Sequence, residues 1–242
     1  MPPRLYLDAP LQAGETLDLP ADAARHVQVL RLQPGDALTL FNGRGGEWAA
    51  EVRQMAGRQQ VQVGVGAHRA VSRELACEVT LALGMPANER MDALVEKAAE
   101  LGVSAIQPLQ CARSVLKLSG ERAERRCAHW QAVAVAAAEQ SGRTRVPAVA
   151  PVRSLRDWLA TLPPAGRRHV LSLADDALPL AALPPGPPAA WVLLSGPEGG
   201  LDAAEEALAL QHGFGPVGLG PRVLRADTAP LAALAVIGAQ HG

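Results

Sequence analysis

Residues 191–215 read WVLLSGPEGGLDAAEEALALQHGFG, passing from an apolar run through a glycine-rich turn into a helical stretch. Trp191 to Leu194 is too short for a helix and is bounded by Gly196 and Pro197, which predicts a buried parallel strand. Asp202 and Glu205 have capping-box spacing, and Gly213 stands where a left-handed helix cap belongs. The turn is therefore expected over a helix N-terminus, where outward-pointing amides and the helix dipole favour a ligand. An ordinary strand-to-helix connection has the same composition, so the turn alone leaves both readings open.

Outward from this stretch, strands and helices alternate. ACEVTLALG (76–84), VSAIQPLQ (103–110) and HVLSLA (169–174) read as further strands. NERMDALVEKAAELG (88–102) reads as an amphipathic helix, and residues 120–140 as a long alanine-rich one. Such alternation implies a parallel sheet with right-handed crossovers. The proline-rich ALPLAALPPGPPAA (177–190) reads as a surface connection within it. PVGLGPRVLRADTAPLAAL (216–234) supplies a short strand, a second loop and a terminal helix that admits Pro230 only in its first turn.

Residues 1 to about 70 instead alternate with period two: LYLDAP, ETLDLP, ALTLFNG, EWAAEV and QVQVGVGAH. RHVQVLRLQPGD (25–36) interrupts them with a short helix or turn carrying Arg25, His26 and Arg31. These cations fit either phosphate contact or plain solubility. Two domains are expected, 1–70 and 74–242.

A chain that is 48% hydrophobic and 19% charged is packed rather than disordered. Three scattered cysteines lack zinc-site spacing and fit a reducing cytoplasm. No metal is expected, and neither a signal peptide nor a membrane span is read. Net charge is −1, yet residues 111–170 hold eleven Lys or Arg against four Asp or Glu. That band suits a polyanion, nucleic acid first, although a solvated helix face has the same look.

In open parallel sheets, ligands gather beyond the carboxyl ends of the strands. The loop at 195–200 matches neither familiar phosphate-binding glycine pattern, Pro197 lacks an amide hydrogen, and Glu198 opposes an anion. A ligand with hydroxyls, an adenine edge and a cationic centre fits better, and S-adenosylmethionine has all three.

HVQVLRLQPGDALTLFNGRGGEW, ERMDALVEKAAELGVSAIQPL, ARSV, AEQSGRTRVP, LSGPEGGL and LGPRVLRADTAPLAAL occur in this order over nearly the whole chain. Together they resemble the RsmE-type methyltransferases of the SPOUT class, which methylate N3 of one uridine in 16S rRNA. The resemblance implies an N-terminal PUA-like RNA-binding β-barrel and a C-terminal SPOUT-type parallel sheet ending in a trefoil knot. It also implies a cytoplasmic homodimer acting on the small ribosomal subunit and holding S-adenosylmethionine in the knot. Carried onto this chain, the cofactor loops are Leu194, Ser195, Gly196, Pro197, Glu198, Gly199 and Gly200, then Leu219, Gly220 and Leu224. Arg225 and Thr228 stand beside them, and Leu173 covers the pocket. Arg4, Arg25, His26, Arg31, Arg113 and Arg143 are the RNA-facing candidates.

Three positions depart from the family pattern: Asp227 stands for Glu, His129 for Arg before Trp130, and LALGMPANER lacks a lysine. Methyl transfer to N3 requires that nitrogen to lose its proton. Arg113 and Arg225 suit stabilisation of the resulting anion, because arginine cannot act as a base. Glu198 and Glu139 are candidate acceptors, with Glu198 expected mainly to shape the loop and Glu139 to pair with Arg143.

Overall fold

The computed structural model describes residues 2–56, 60–163, 166–184 and 190–241. Two compact units share the chain: Met1–Glu74 with Ala138–Val146, and Leu75–Ala137 with Pro147–Gly242. The second interval of the first unit comes from the end of the long alanine-rich helix, which local periodicity gave no reason to detach.

In the first unit, β1 (Arg4–Tyr6), β2 (Thr16–Asp18), β3 (Ala37–Phe41), β4 (Glu47–Ala56) and β5 (Gln60–Arg69) form one sheet, ordered β1-β3-β4-β5-β2. β1 runs parallel to β3, and the remaining pairs are antiparallel. Period-two alternation turns Leu38, Leu40, Val52, Val61 and Val63 inward, against Ala24 and Val27 of α1 (Ala21–Val29). That helix starts before the basic segment and ends in a Schellman turn. Arg31 N–H donates to the Gln28 carbonyl (2.9 Å) and Leu32 N–H to the Val27 carbonyl (3.2 Å). Arg31 therefore occupies, at φ +57°, the left-handed position that glycine fills most easily.

The second unit runs β6 (Val79–Gly84), α2 (Asn88–Glu100), β7 (Ala105–Gln110), α3 (Gly120–Ser141), β8 (Ala148–Val149), β9 (Arg153–Ser154) and α4 (Leu155–Leu159). It continues with β10 (Arg167–Leu171), β11 (Leu178–Pro179), β12 (Trp191–Ser195), α5 (Ala203–Gln211), β13 (Gly215–Gly218) and α6 (Thr228–His241). The sheet is parallel throughout, ordered β11-β13-β10-β12-β6-β7-β8, with β9 also on β7. The proline-rich connection contributes β11 and a 3-10 turn at Leu180–Ala182, while 185–189 lie outside the described residues.

Helices cover both faces, which is why strand β12 is apolar at nearly every position. Leu193 joins the core formed with α2, α3 and α6, including Met91, Trp130 and Ile237. Its neighbour Leu194 faces the opposite way, into Ala82, Leu109, Trp158 and Phe214. Each such leucine contributes about 1.5–3 kcal/mol by leaving water. Among the described residues no helix is long and apolar enough to cross a membrane, and no group of three metal-ligating side chains is found.

Candidate functional site

β10 lies between β12 and β13, so the carboxyl ends of all three strands open on one side of the sheet. An open cavity of about 410 Å³ sits there, within the range of small-ligand sites. The β12–α5 loop supplies Ser195 to Leu201 as one wall, and the β13–α6 loop supplies Leu219, Gly220 and Leu224 as another. Leu173 lies at the rim, 71% exposed. Leu201 apart, these are residues the sequence gathered, and the fold brings them together.

The β12–α5 loop is held by close backbone approach. A Cβ on Gly84, at the end of β6, would lie 2.5 Å from Pro197 Cδ; one on Gly196 would lie 2.8 Å from the Leu201 nitrogen. The glycines thus let the loop fold on itself and against β6. Arg113 fastens its far side, donating from Nη1 to the Gly199 carbonyl (2.9 Å) and the Leu201 carbonyl (3.3 Å). Glu198 Oε1 accepts the Ala87 N–H at 3.0 Å and lies 3.6 Å from Arg90 Nη1. α2 has no side-chain cap of its own, so Glu198 places a carboxylate at that positive end.

The expected helix-N-terminal cradle is corrected. Asp202 accepts the Glu205 N–H (2.8 Å), while Glu205 accepts the Asp202 N–H (3.1 Å) and, with its other oxygen, the Ala112 N–H (2.7 Å). The positive end of α5 is therefore met by its own carboxylates. The cavity wall is the loop before the helix.

Other placements differ from the sequence reading. Leu194 is fully buried in the core and does not line the cavity. Arg225 and Thr228 are exposed beyond it; the Arg225 carbonyl accepts the Thr228 and Ala229 N–H groups (both 2.9 Å) to start α6. Arg143, only 4% exposed, donates from Nε to Glu74 at 2.9 Å. Glu74 also accepts the Thr144 and Arg145 N–H groups, so Arg143 serves a folded turn and not an open RNA face. Arg4 pairs with buried Glu47 and donates to the Arg143 carbonyl (2.8 Å), which likewise removes it from solvent.

Glu139 does not pair with Arg143 as expected. It accepts the Tyr6 N–H at 2.8 Å and faces His26 Nδ1 at 3.4 Å, and burial raises its pKa. His129 bonds Asp92, which also accepts the Trp130 indole N–H. Arg25 and Arg31 remain exposed. Burial, reinforced by Glu205, pushes the Cys111 thiol up to about 12, so it is an inert core residue.

Local reading missed Leu171, Ser172, Glu206, Val217, Ala226, Ala229 and Leu201 as cavity walls. Strand-end position on β10 and β13 was the available signal for the first, second and fourth. Asp227, between Ala226 and Ala229, keeps Oδ1 buried with no hydrogen-bond partner among the described residues. A main-chain wall, apolar Leu219 and Leu224, and the carboxylates of Glu198 and Glu206 suit an uncharged nucleoside with an ammonium or sulfonium group. They fit S-adenosylmethionine.

This arrangement defines an α/β protein with a ligand cavity at the carboxyl edge of a doubly covered parallel sheet. Residues 73–238 match the RNA methyltransferase domain family, and residues 19–65 match the RNA methyltransferase PUA domain family. The chain belongs to this RNA methyltransferase family. The ribosomal RNA small subunit methyltransferase E of Bacillus subtilis is 33% identical over 95% of this chain and 92% of its own. The Neisseria gonorrhoeae protein of that name, crystallised with S-adenosylmethionine, is 38% identical, covers 98% of this chain and 97% of its own, and gives a TM-score of 0.92. A Legionella pneumophila methyltransferase with the same bound cofactor is 34% identical over 99% and 98%, with a TM-score of 0.93.

Proposed function

We propose that this chain transfers a methyl group from S-adenosylmethionine to N3 of one uridine in 16S ribosomal RNA. The observation that carries the reading is the cavity between the β12–α5 and β13–α6 loops, main-chain walled and lacking a phosphate-loop lysine, in a chain of the RNA methyltransferase family. Relatives crystallised with S-adenosylmethionine support the same donor.

When bound, the donor supplies an electrophilic methyl group on a sulfonium. Ser195 to Gly200 and Leu219 to Leu224 orient it through backbone groups, and Leu173 shields it from water. Glu198 holds the loop in place through α2. Arg113 is tied to two loop carbonyls and so keeps a cation fixed at the cavity edge. A fixed cation favours the uracil anion: N3 releases its proton to solvent and takes the methyl group as the methyl–sulfur bond breaks, with S-adenosylhomocysteine leaving. Arg225 stands outside the walls and is left the role of a phosphate contact. N3 lies on the Watson–Crick edge, so the base enters unpaired or extruded. The same reading includes a trefoil knot at the C-terminal end of the chain, a homodimer, and work in the cytoplasm. Family resemblance supports these three.

Small ribosomal subunits from a strain lacking the enzyme should gain one methyl per particle, mapped by nucleoside mass spectrometry to uridine N3. A methyl on another base or another RNA would replace the substrate. No transfer, together with no calorimetric binding of S-adenosylmethionine, would end the reading.

A further inference from the structure

Beyond the cavity, the segment that follows β7 alternates between core and solvent, and the donor site uses its exposed side only at Arg113. Ser114, Leu116 and Leu118 are 4%, 6% and 4% exposed, whereas Arg113, Val115 and Lys117 between them face solvent. Val115 is 77% exposed, among the most open of the large apolar side chains. The buried side is fixed: Ser114 Oγ accepts the Cys111 N–H (3.0 Å) and Gln110 Oε1 accepts the Leu118 N–H (3.1 Å). Three side chains of cationic, apolar and cationic character thus stand in a row on a backbone tied down at both ends.

The row begins at the cavity. Arg113 lines it, beside exposed Leu173 and Val223, and Arg113 is bonded to the cavity loop. At its other end α3 opens with Arg122, Arg125 and Arg126 against Glu121 and Glu124, where Arg125 and Glu121 pair at 3.3 Å. Residues 113–126 thus carry five Lys or Arg against two Glu. Val115 thus lies open between two cations. A polyanion whose charges alternate with flat, partly apolar rings has the complementary pattern.

We infer that Arg113, Val115 and Lys117 form a track for the single-stranded RNA flanking the target base, Lys117 holding a phosphate and Val115 packing on a ribose or base face. The inference rests on the methyltransferase reading and adds Val115 and Lys117 to it. It explains how a base can be presented at the cavity by its neighbours rather than by its own contacts alone.

Lys117→Ala and Val115→Ser are compared with the parent for binding to a full-length 16S rRNA transcript over a range of salt concentrations, with S-adenosylmethionine titrated into each by calorimetry. Lys117→Ala should weaken RNA binding severalfold and reduce the salt slope by about one. Val115→Ser should weaken binding with the slope unchanged, and both should bind the donor as the parent does. Methyl transfer at limiting RNA should fall in both, with the rate restored at saturating RNA. Parental RNA affinity in both variants overturns the track. So does a shift of Val115→Ser from dimer to monomer in sedimentation without loss of RNA affinity by the monomer, which would assign this face to a second copy. Failure of the parent itself to methylate any rRNA overturns the methyltransferase reading instead, and is seen before either variant is compared.

Discussion

In the first unit Glu47 is buried and shared among Arg4, Arg69 and Arg73, while the cavity of the second unit is walled largely by main chain and apolar side chains. Both units carry arginines in sequence contexts that suit nucleic acid. In the first, carboxylates take up two of them: buried Glu47 takes Arg4 and half-buried Glu74 takes Arg143. In the second, Arg113 stays exposed although Nη1 serves two carbonyls. The contrast shows that whether an arginine is available to a ligand depends on the carboxylate the fold brings to it. Local charge density cannot reveal that.

The strongest way to break this comparison is to remove the shared carboxylate. Glu47→Gln leaves Arg4 buried without a full countercharge and should cost about 3–5 kcal/mol of stability, measured by urea unfolding. Donor affinity of the folded fraction should be unchanged. The acid limb gives the same test by another route. Burial alone would raise Glu47, but hydrogen bonds and charge from Arg73 and Arg4 hold it at about 2 against an ordinary 4.5. Its contribution is therefore complete above about pH 4.5 and is lost as pH falls towards 2. Glu47→Gln should flatten that limb. Glu139, raised by burial, works in the opposite sense: its contribution is present at low pH and disappears as pH rises through its raised value.

In the second unit the sensitive positions are glycines. Gly84→Val and Gly196→Val each force the β12–α5 loop away from its seat, and donor affinity should fall by about 100-fold or more, roughly 2.7 kcal/mol. Calorimetry alongside thermal unfolding checks this. A large loss of stability with full affinity in the folded protein would show that the loop does not form the site.

The smallest effect sharpens the comparison at α1. Arg31→Gly relieves a left-handed residue and should raise stability by up to about 1 kcal/mol. If its exposed guanidinium meets RNA, affinity should fall at the same time and the salt slope by about one. Higher stability with unchanged RNA binding would leave the conformation of Arg31 without a functional counterpart.

What could be read in advance was what local spacing encodes. The alternation through β4 and β5, the helical period of α2, the Asp202–Glu205 box and the glycine after it all came out as expected. Loop 195–200 was found for the same reason, since a short apolar strand before a glycine turn is a local signal. Contacts across long separations were illegible. Glu198 reaching Ala87, Glu205 reaching Ala112 and Glu47 collecting Arg4 and Arg73 follow from tertiary packing, and the last of these changed the role of Arg4. Leu194 was misplaced by a different cause: on a strand covered on both faces, adjacent residues serve opposite cores, and only Ser195 onward leaves the sheet.

The most direct measurement is an amide-resolved NMR titration of the intact chain with S-adenosylmethionine. The account predicts that shifts concentrate at Ser195 to Leu201, Leu219 to Leu224 and Leu173, while Arg4, Glu47 and their neighbours stay fixed. Saturable binding whose shifts cluster elsewhere, with the β12–α5 loop unmoved, would contradict it.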